Sequence, residues 1–383
     1  MDTMAYNNAY REAEEKIEAT RRSGTMELDL SQKWNANNKE RLDELPQSVA
    51  RLTELRELNL SGNRLTVLPE FLAQFTQLRV LRLGGNPLAV LPSWLGGLTR
   101  LRSLSLRGIG VALPFSLEQL TQLRVLNLAG NKLTELPPFL GQLMQLRDLS
   151  LESNELTELP SFLGELTQLQ ELDLSFNQLT ALPEFLAQLT ELRTLYLAGN
   201  ELTELPSFLG QLTRLESLRL SGNQLTALPE FLGELTELRS LNVQGNQLTT
   251  LPRSLEKLAQ LQDLYLDRNP LELELVAPYQ EGTGAVLAYL RTRSADEEIA
   301  LHEAKLILVG EGGVGKTCLM DALASAPWRK HDTTHGIEIR AIQAIDPDDG
   351  REITLNGWDF GGQPIYRPTH QLFFSAPAVY LVV

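Results

Sequence analysis

The sequence predicts an α/β protein in two parts, a long solenoid of short repeats followed by a smaller segment with the pattern of a parallel sheet. Two observations support this prediction. A Leu-Pro pair and an asparagine recur together every 22 or 23 residues, and the recurrence ends before Lys305. An apolar run, a glycine-rich loop and a helix-forming stretch follow Lys305. A strand, a turn and a helix in this order are typical of a parallel sheet.

The composition excludes several classes of protein. The 383 residues include 34 basic and 49 acidic side chains, and the net charge of −15 argues against nucleic acid or an anionic membrane as a partner. The single cysteine, Cys318, excludes an intramolecular disulfide and a cysteine-rich zinc site. The N-terminus is too polar for a signal peptide, and no apolar run approaches the ~18 residues that span a bilayer. These features predict a soluble, cytoplasmic protein.

The repeats are regular in both period and residue type. One unit begins at Leu55 and reads LRELNLSGNRLTVLPEFLAQFTQ. The prolines of the Leu-Pro pairs are Pro46, Pro69, Pro92, Pro114, Pro137, Pro160, Pro183, Pro206, Pro229 and Pro252. The asparagines with the same spacing are Asn63, Asn86, Asn131, Asn154, Asn177, Asn200, Asn223, Asn246 and Asn269. These units resemble the leucine-rich repeat, L-x-x-L-x-L-x-x-N-x-L, over residues 26–276.

The physics of one unit supports this resemblance. The stretch ELNLS alternates polar and apolar residues, which predicts a short strand with its leucines inward. A single unit cannot bury these leucines, whereas stacked units share a continuous core. About ten strands at ~4.8 Å spacing would form a parallel sheet ~50 Å long on the concave face. The asparagine is expected to bond backbone groups where the chain turns away from the strand.

The pattern changes at both ends and at one internal unit. Ile109 takes the asparagine position of a unit that is one residue short, which predicts a disturbed turn there. The first unit carries a polar insert at 32–41 that is expected to protrude. Terminal repeats need a water-compatible cover. We therefore expect a capping helix within 1–25 and a second capping helix with a linker at 277–304.

An aromatic residue stands two positions after the proline in most units. We expect these side chains to pack the convex side as a spine, with a ligand-binding stripe as the alternative. They are Phe71, Trp94, Phe139, Phe162, Phe185, Phe208 and Phe231.

The outward-facing strand positions form the predicted concave surface. Tyrosine and arginine are enriched among the residues that dominate protein interfaces. Part of this surface is therefore a candidate patch for a protein partner, with a solvated sheet face as the alternative. The patch comprises Asp173, Phe176, Tyr196, Arg219 and Tyr265.

After Lys305 the sequence reads KLILVGEGGVGKTCLMDALASA. The spacing Gly310-x-x-x-x-Gly315-Lys316-Thr317 between a strand and a helix is the phosphate-binding loop pattern. Glycines let backbone N–H groups close around phosphates, and the N-terminus of the following helix favours negative charge. Lys316 would reach the β and γ phosphates, and Thr317 would bind Mg²⁺. The predicted phosphate-binding residues are Gly310, Gly312, Gly313, Val314, Gly315, Lys316, Thr317 and Cys318.

Two later segments, DTTHGIEI (332–339) and LNGWDFGGQ (355–363), resemble the switch regions of Ras-like GTPases. The resemblance implies that Thr334, with Thr333 as the alternative, and Asp359 hold Mg²⁺ together with Thr317. It also implies that Gly362 meets the γ-phosphate. Gln363 would orient the attacking water, and Lys316 would stabilise the charge that develops during hydrolysis.

Leucine-rich repeats joined to such a domain resemble the Roco proteins, whose GTPase domain is called Roc. Relatives continue into a COR domain through which the full-length protein would dimerise. The sequence stops at APAVYLVV (376–383), and the guanine-selecting Asn/Thr-Lys-x-Asp motif is missing. We therefore expect residues 305–383 to be the N-terminal part of an incomplete, P-loop Ras-like domain.

Three functions are compatible with this sequence. The resemblance implies a GTP-binding and GTP-hydrolysing signalling switch, coupled to repeats that bind a protein. For the 383 residues alone, the alternative is a binding scaffold with an inactive GTPase segment. An ATPase of the nucleotide-binding leucine-rich-repeat type is disfavoured, because the repeats of that type usually follow the nucleotide domain.

Overall fold

The computed structural model describes residues 8–32, 41–295, 303–309, 315–324, 327, 337–345, 352–360 and 378–382. The chain divides into two compact units, residues 1–295 and 296–383. The polar insert is described only at its ends, because 33–40 lie outside these ranges.

The first unit contains a parallel sheet of eleven strands in sequence order. The strands are β1 Glu27–Asp29, β2 Glu57–Asn59, β3 Val80–Arg82, β4 Ser103–Ser105, β5 Val125–Asn127, β6 Asp148–Ser150, β7 Glu171–Asp173, β8 Thr194–Tyr196, β9 Ser217–Arg219, β10 Ser240–Asn242 and β11 Asp263–Tyr265. About ten strands were expected. The eleventh strand, β11, follows the last Leu-Pro pair, and helices rather than another Leu-Pro turn follow it.

Each unit of the solenoid buries its leucines in the same way. The central leucine of every strand stands beside its equivalent in the next, as with Leu58, Leu81 and Leu104, and all three are at most 1% exposed. After each proline the chain forms one short 3₁₀ helix. These helices span Gln47–Arg51, Glu70–Gln74, Ser93–Gly97, Phe115–Gln119, Pro138–Gln142, Ser161–Glu165, Glu184–Gln188, Ser207–Gln211, Glu230–Glu234 and Arg253–Lys257.

The aromatic spine packs against the core, as expected. Phe139 and Phe208 are buried in it, and the other five aromatic side chains pack against it half-buried. Small residues make room for the spine. A Cβ added to Gly141 would lie 3.0 Å from the Cβ of Phe162 in the next unit.

Helices close both ends of the solenoid core. Helix α1, Asn8–Ser23, precedes β1 and buries Ala9, Ala13 and Ile17, which are spaced for one helical face. After β11 come α2, Leu273–Glu281, and α3, Thr283–Ala295. Helix α3 buries Val286, Leu287 and Leu290 in the same core. Helix α2 was not expected, because it contains Pro278.

The short unit has the disturbed turn that its sequence predicts. In the regular units an asparagine Oδ1 accepts a hydrogen bond from the N–H two residues after the preceding asparagine, as in Leu156 N to Asn177 Oδ1 at 3.1 Å. Asn131 Oδ1 instead accepts from both Ile109 N and Gly110 N, at 3.0 and 2.9 Å. An apolar cavity of about 10 Å³ lies in the leucine core of this region.

The second unit is a four-stranded sheet with one described helix. Its elements are β12 Glu303–Val309, α4 Lys316–Leu323, β13 Ile337–Ile345, β14 Glu352–Phe360 and β15 Ala378–Val382. The strand order is β13-β14-β12-β15. Strand β12 is parallel to both of its neighbours, and β13 is antiparallel to β14. Among the described residues of this unit, the buried hydrophobic side chains are Leu306, Leu308, Met320 and Ile342.

Candidate functional site

The first helix of the second unit begins where the phosphate-binding loop pattern places it. Helix α4 starts at Lys316, and Gly315 before it has a φ of 95°. Only glycine adopts this left-handed conformation readily, so the turn into the helix depends on Gly315. The sequence Gly-Lys-Thr therefore directs the first backbone N–H groups of α4 towards the preceding loop.

Two predicted site segments meet at one edge of the sheet. In the parallel pair β12–β14, Leu308 stands beside Asp359. Both strands end one residue later, at Val309 and Phe360. Ligands of open α/β sheets bind outside the carboxyl ends of the strands. Asp359 therefore lies at the edge of the sheet where β12 ends and the phosphate-binding loop begins.

The described residues fit a nucleotide phosphate with Mg²⁺. Lys316 is only 6% exposed, and Thr317 beside it is half-buried in the first turn of α4. Hydroxyl and carboxylate oxygens are the ligands that Mg²⁺ prefers, and Thr317 and Asp359 are residues of these two types. Cys318 is exposed. Among the residues with described side chains, no group of three or more His, Cys, Asp or Glu could hold a metal ion by itself.

The other predicted residues of this site lie outside the described ranges. They are Gly310, Gly312, Gly313, Val314, Thr333, Thr334, Gly362 and Gln363.

One ion pair at this site was not predicted from the sequence. Asp321 of α4 is 3% exposed and accepts a hydrogen bond from the Nη1 atom of Arg340 on β13. The pair joins α4, the helix that follows the phosphate-binding loop, to β13, whose first residues belong to the first switch segment. The sequence offered one sign of this pair, an aspartate inside the apolar stretch CLMDALASA. It did not identify the partner, which is 19 residues away.

The predicted partner patch is partly assembled on the concave face of the solenoid. Asp173, Tyr196 and Arg219 stand side by side on β7, β8 and β9. The Cζ atom of Arg219 lies 4.4 Å from the centre of the Tyr196 ring, which is a cation–π contact. Phe176 is 57% exposed. Tyr265 is 42% exposed but lies on β11, two strands beyond Arg219.

Three carboxylates surround the Tyr196 end of this patch. Burial and the charge of Asp173 raise the pKa of Asp148. Burial and the charges of Asp148 and Asp173 also raise the pKa of Glu171, against the opposing effect of Arg219. The pKa of Tyr196 is raised mainly by burial. This part of the concave face therefore favours the approach of positive charge.

No helix in the described part of the chain is long and apolar enough to cross a membrane.

Two family models match the chain. The model described as "Leucine-rich repeat region" matches residues 35–137 and 123–281. The model described as "Ras of Complex, Roc, domain of DAPkinase" matches residues 305–383. Together they cover both structural units.

Known proteins resemble each part. A Roc-COR-CHAT protease from an unknown prokaryotic organism is 39% identical over 138 residues, which is 31% of this chain and 13% of that protein. The probable serine/threonine-protein kinase roco11 of Dictyostelium discoideum is 32% identical over 118 residues, or 27% of this chain and 8% of the kinase. A solved leucine-rich-repeat protein of Leptospira interrogans has a TM-score of 0.56 and 35% identity, and the match covers 63% of this chain and 68% of that one.

The fold and the site define a class of protein, one that joins a leucine-rich-repeat solenoid to a Ras-like P-loop domain. Within that class, this chain belongs to the Roco family. It spans about a tenth of the length of the curated relatives described above.

Proposed function

We propose that this chain is part of a GTP-binding, GTP-hydrolysing switch in which a Roc domain controls a protein-binding repeat solenoid. The parallel pairing of Leu308 with Asp359 carries this proposal. It brings the carboxylate strand to the same sheet edge as the phosphate-binding loop, whose helix starts at Lys316. We place the switch in the cytoplasm, where a lone exposed cysteine such as Cys318 stays reduced.

In this proposal each residue has a separate chemical role. Lys316 contacts phosphate oxygens that are present in both GTP and GDP. Thr317, Thr334 and Asp359 hold Mg²⁺, which neutralises charge on the phosphates when it is bound. Gly362 meets the γ-phosphate, and Gln363 orients water for hydrolysis. Release of the γ-phosphate would then relax the two switch segments, which is the usual form of such a transition.

The concave patch is the surface through which the switch would act on another protein. Asp173, Tyr196 and Arg219 form a contiguous surface of charged and aromatic side chains. We propose that a protein partner binds this surface, with Phe176 and Tyr265 as further contacts. The raised pKa values of Asp148 and Glu171 support a partner that brings positive charge to this end.

Binding of fluorescent GTP, GDP and ATP analogues to the 383-residue chain tests the phosphate site. We expect weak, Mg²⁺-assisted binding with little preference for guanine, because the sequence lacks the base-reading motif. Lys316→Ala should weaken GTP and GDP together by at least about tenfold, which is ~1.4 kcal/mol. Lys257→Ala, which removes an exposed lysine of the solenoid, is the matched control. Equal affinity in Lys316→Ala and wild type would refute the phosphate site.

Two further variants separate binding from catalysis. Thr317→Ala should weaken GTP more than GDP and reduce the benefit of added Mg²⁺. Gln363→Leu should leave affinity nearly unchanged and lower single-turnover hydrolysis about tenfold or more. Equal hydrolysis rates in Gln363→Leu and wild type would show that Gln363 has no role in hydrolysis. The assignment of the phosphate site would be unaffected.

The second candidate function is a binding scaffold whose GTPase segment is inactive. The missing guanine-reading motif favours this alternative for the 383 residues alone. A chain that binds no nucleotide at any Mg²⁺ concentration, yet retains a folded solenoid, would support it.

A further inference from the structure

The residue directly before each strand from β2 to β11 shows an asymmetry along the solenoid. In five consecutive units it is arginine, and in the next five it varies in charge. The first group, which we name the arginine ladder, is Arg56, Arg79, Arg102, Arg124 and Arg147. The second group is Gln170, Arg193, Glu216, Arg239 and Gln262.

Backbone hydrogen bonds hold the arginine ladder in register. The N–H of each arginine from the second onward donates to the carbonyl of the arginine before it, at 2.7 or 2.8 Å. Neighbouring residues are therefore one strand spacing apart, ~4.8 Å, and the ladder extends over ~19 Å. All five side chains are exposed. They form a straight row of positive charge beside the concave face.

The arginine ladder has no counter-charge of its own. Within the part of the chain that the structure describes, no carboxylate oxygen lies within 4.0 Å of any of its five guanidinium groups. The second group differs, because Arg193 and Arg239 both pair with Glu216. Five adjacent like charges without partners are a surface that an anionic partner would stabilise.

The surroundings of the arginine ladder limit the kind of anion that fits. Val80 and Val125 are half-buried in the next row of the sheet and offer apolar contact. The same row has Glu57 beside Arg56 at one end and Asp148 beside Arg147 at the other, followed by Glu171, and these charges would repel a polyanion that extended past either end of the ladder. A short anion that combines carboxylates with apolar side chains meets both conditions. That is the chemistry of an acidic protein segment rather than a nucleic acid.

We propose that the arginine ladder binds an acidic segment of a partner protein, whose carboxylates pair with guanidinium groups along the length of the ladder. An extended segment rises ~3.3 Å per residue, so about six residues cover the ladder. Arginine suits this role because its planar guanidinium can bind a carboxylate through two parallel hydrogen bonds. The site goes beyond the proposed switch and does not require nucleotide binding, so either proposal can fail alone.

Fluorescence anisotropy with a labelled synthetic peptide tests this site on the 383-residue chain. The probe has about six residues, with glutamate alternating with valine, and a lysine–valine peptide is the negative control. We expect the glutamate peptide alone to bind, and its affinity to fall as salt is raised. No binding at low salt would overturn the proposal.

A pair of triple variants locates the binding. Arg79→Gln/Arg102→Gln/Arg124→Gln should lower affinity for the glutamate peptide at least tenfold. Arg193→Gln/Arg214→Gln/Arg239→Gln changes the net charge by the same amount at ion-paired sites, and should lower affinity less than twofold. Circular dichroism must show both variants folded.

Two results would contradict this site. An equal loss in both triple variants would mean that overall charge, rather than the ladder, attracts the peptide. The second result would be tight binding of an oligothymidylate with the same charge as the peptide, together with a loss of that affinity in the ladder variant. The ligand of the arginine ladder would then be a nucleic acid and not a protein segment.

Discussion

The sheets of the two units differ in which strands pair with each other. In the solenoid every strand pairs with the strands just before and just after it in sequence, from β1 to β11. In the Roc unit β12 pairs with β14 and β15, and β13 and α4 intervene in sequence. The solenoid is therefore a sum of similar local contacts, whereas the Roc unit depends on a few long-range ones.

The polar groups of the two units differ in the same way. The solenoid buries one asparagine per regular unit, and each repeats nearly the same hydrogen bonds to its own and the preceding turn. In the described part of the Roc unit, the buried Asp321 pairs with the part-buried Arg340, and this pair has no repeated equivalent. The repeat period predicts the asparagine hydrogen bonds from the sequence, whereas no local sequence pattern predicts that Asp321 pairs with Arg340.

The largest expected effect tests the shared leucine core. Leu172 is fully buried and stands between Leu149 and Leu195 on the neighbouring strands. Leu172→Ala should lower the free energy of unfolding by about 2–5 kcal/mol, because it removes apolar contacts and leaves a cavity. Urea unfolding followed by circular dichroism measures the loss. Leu273→Ala, at a side chain that is 85% exposed, is the matched control and should have little effect.

The next effect tests the asparagine ladder. The side-chain amide of Asn177 donates to the carbonyls of Leu151 and Leu174, both at 3.0 Å, and its Oδ1 accepts from Leu156 N. Asn177→Leu should cost about 1–3 kcal/mol, because buried backbone groups lose their partners. Asn242→Leu, at a half-buried position where Oδ1 accepts one bond, should cost less. Equal melting temperatures for Asn177→Leu and wild type would refute this role.

A smaller effect tests a tertiary contact of the Roc unit. A Cβ on Gly357 would overlap the sulfur of Met320 and lie 3.1 Å from Ile342 Cδ1. Gly357→Ala should cost about 1 kcal/mol, since the flexible Met320 side chain can move. Amide hydrogen exchange in β12 and β14 should accelerate about fivefold. Adding Met320→Ala should reduce the penalty of Gly357→Ala, and simple additivity of the two changes would argue against this contact.

The smallest effect concerns pH. Because burial and Asp173 hold the pKa of Asp148 above its ordinary 3.8, the folded protein binds this proton more tightly than the unfolded chain does. The stability tied to Asp148 is therefore present below 3.8 and is lost as pH rises through the raised pKa. Asp148→Asn should flatten that decline in a series of urea titrations. Asp263→Asn, at an exposed position of the same row, should leave the slope unchanged.

The sequence alone determined most of the solenoid. Its period places leucines, prolines and asparagines at equivalent points, and stacking makes every contact a contact between similar units. The same logic marked Ile109 as the site of a disturbed turn, and there Asn131 Oδ1 accepts from Ile109 N and Gly110 N instead of from the N–H two residues after a repeat asparagine. Helix α2 was not predicted, and it contains Pro278, a residue that disfavours the interior of a helix.

Only the tertiary structure decided which remote residues of the Roc unit are paired. The repeat period already places Arg193 beside Glu216, one unit apart, but no repeat relates Asp321 to Arg340. The motif located Lys316 and Asp359, but their shared sheet edge follows from the pairing of β12 with β14. Pairs of this kind depend on distances between residues that are remote in sequence and not related by a repeat, so local periodicity carries no information about them.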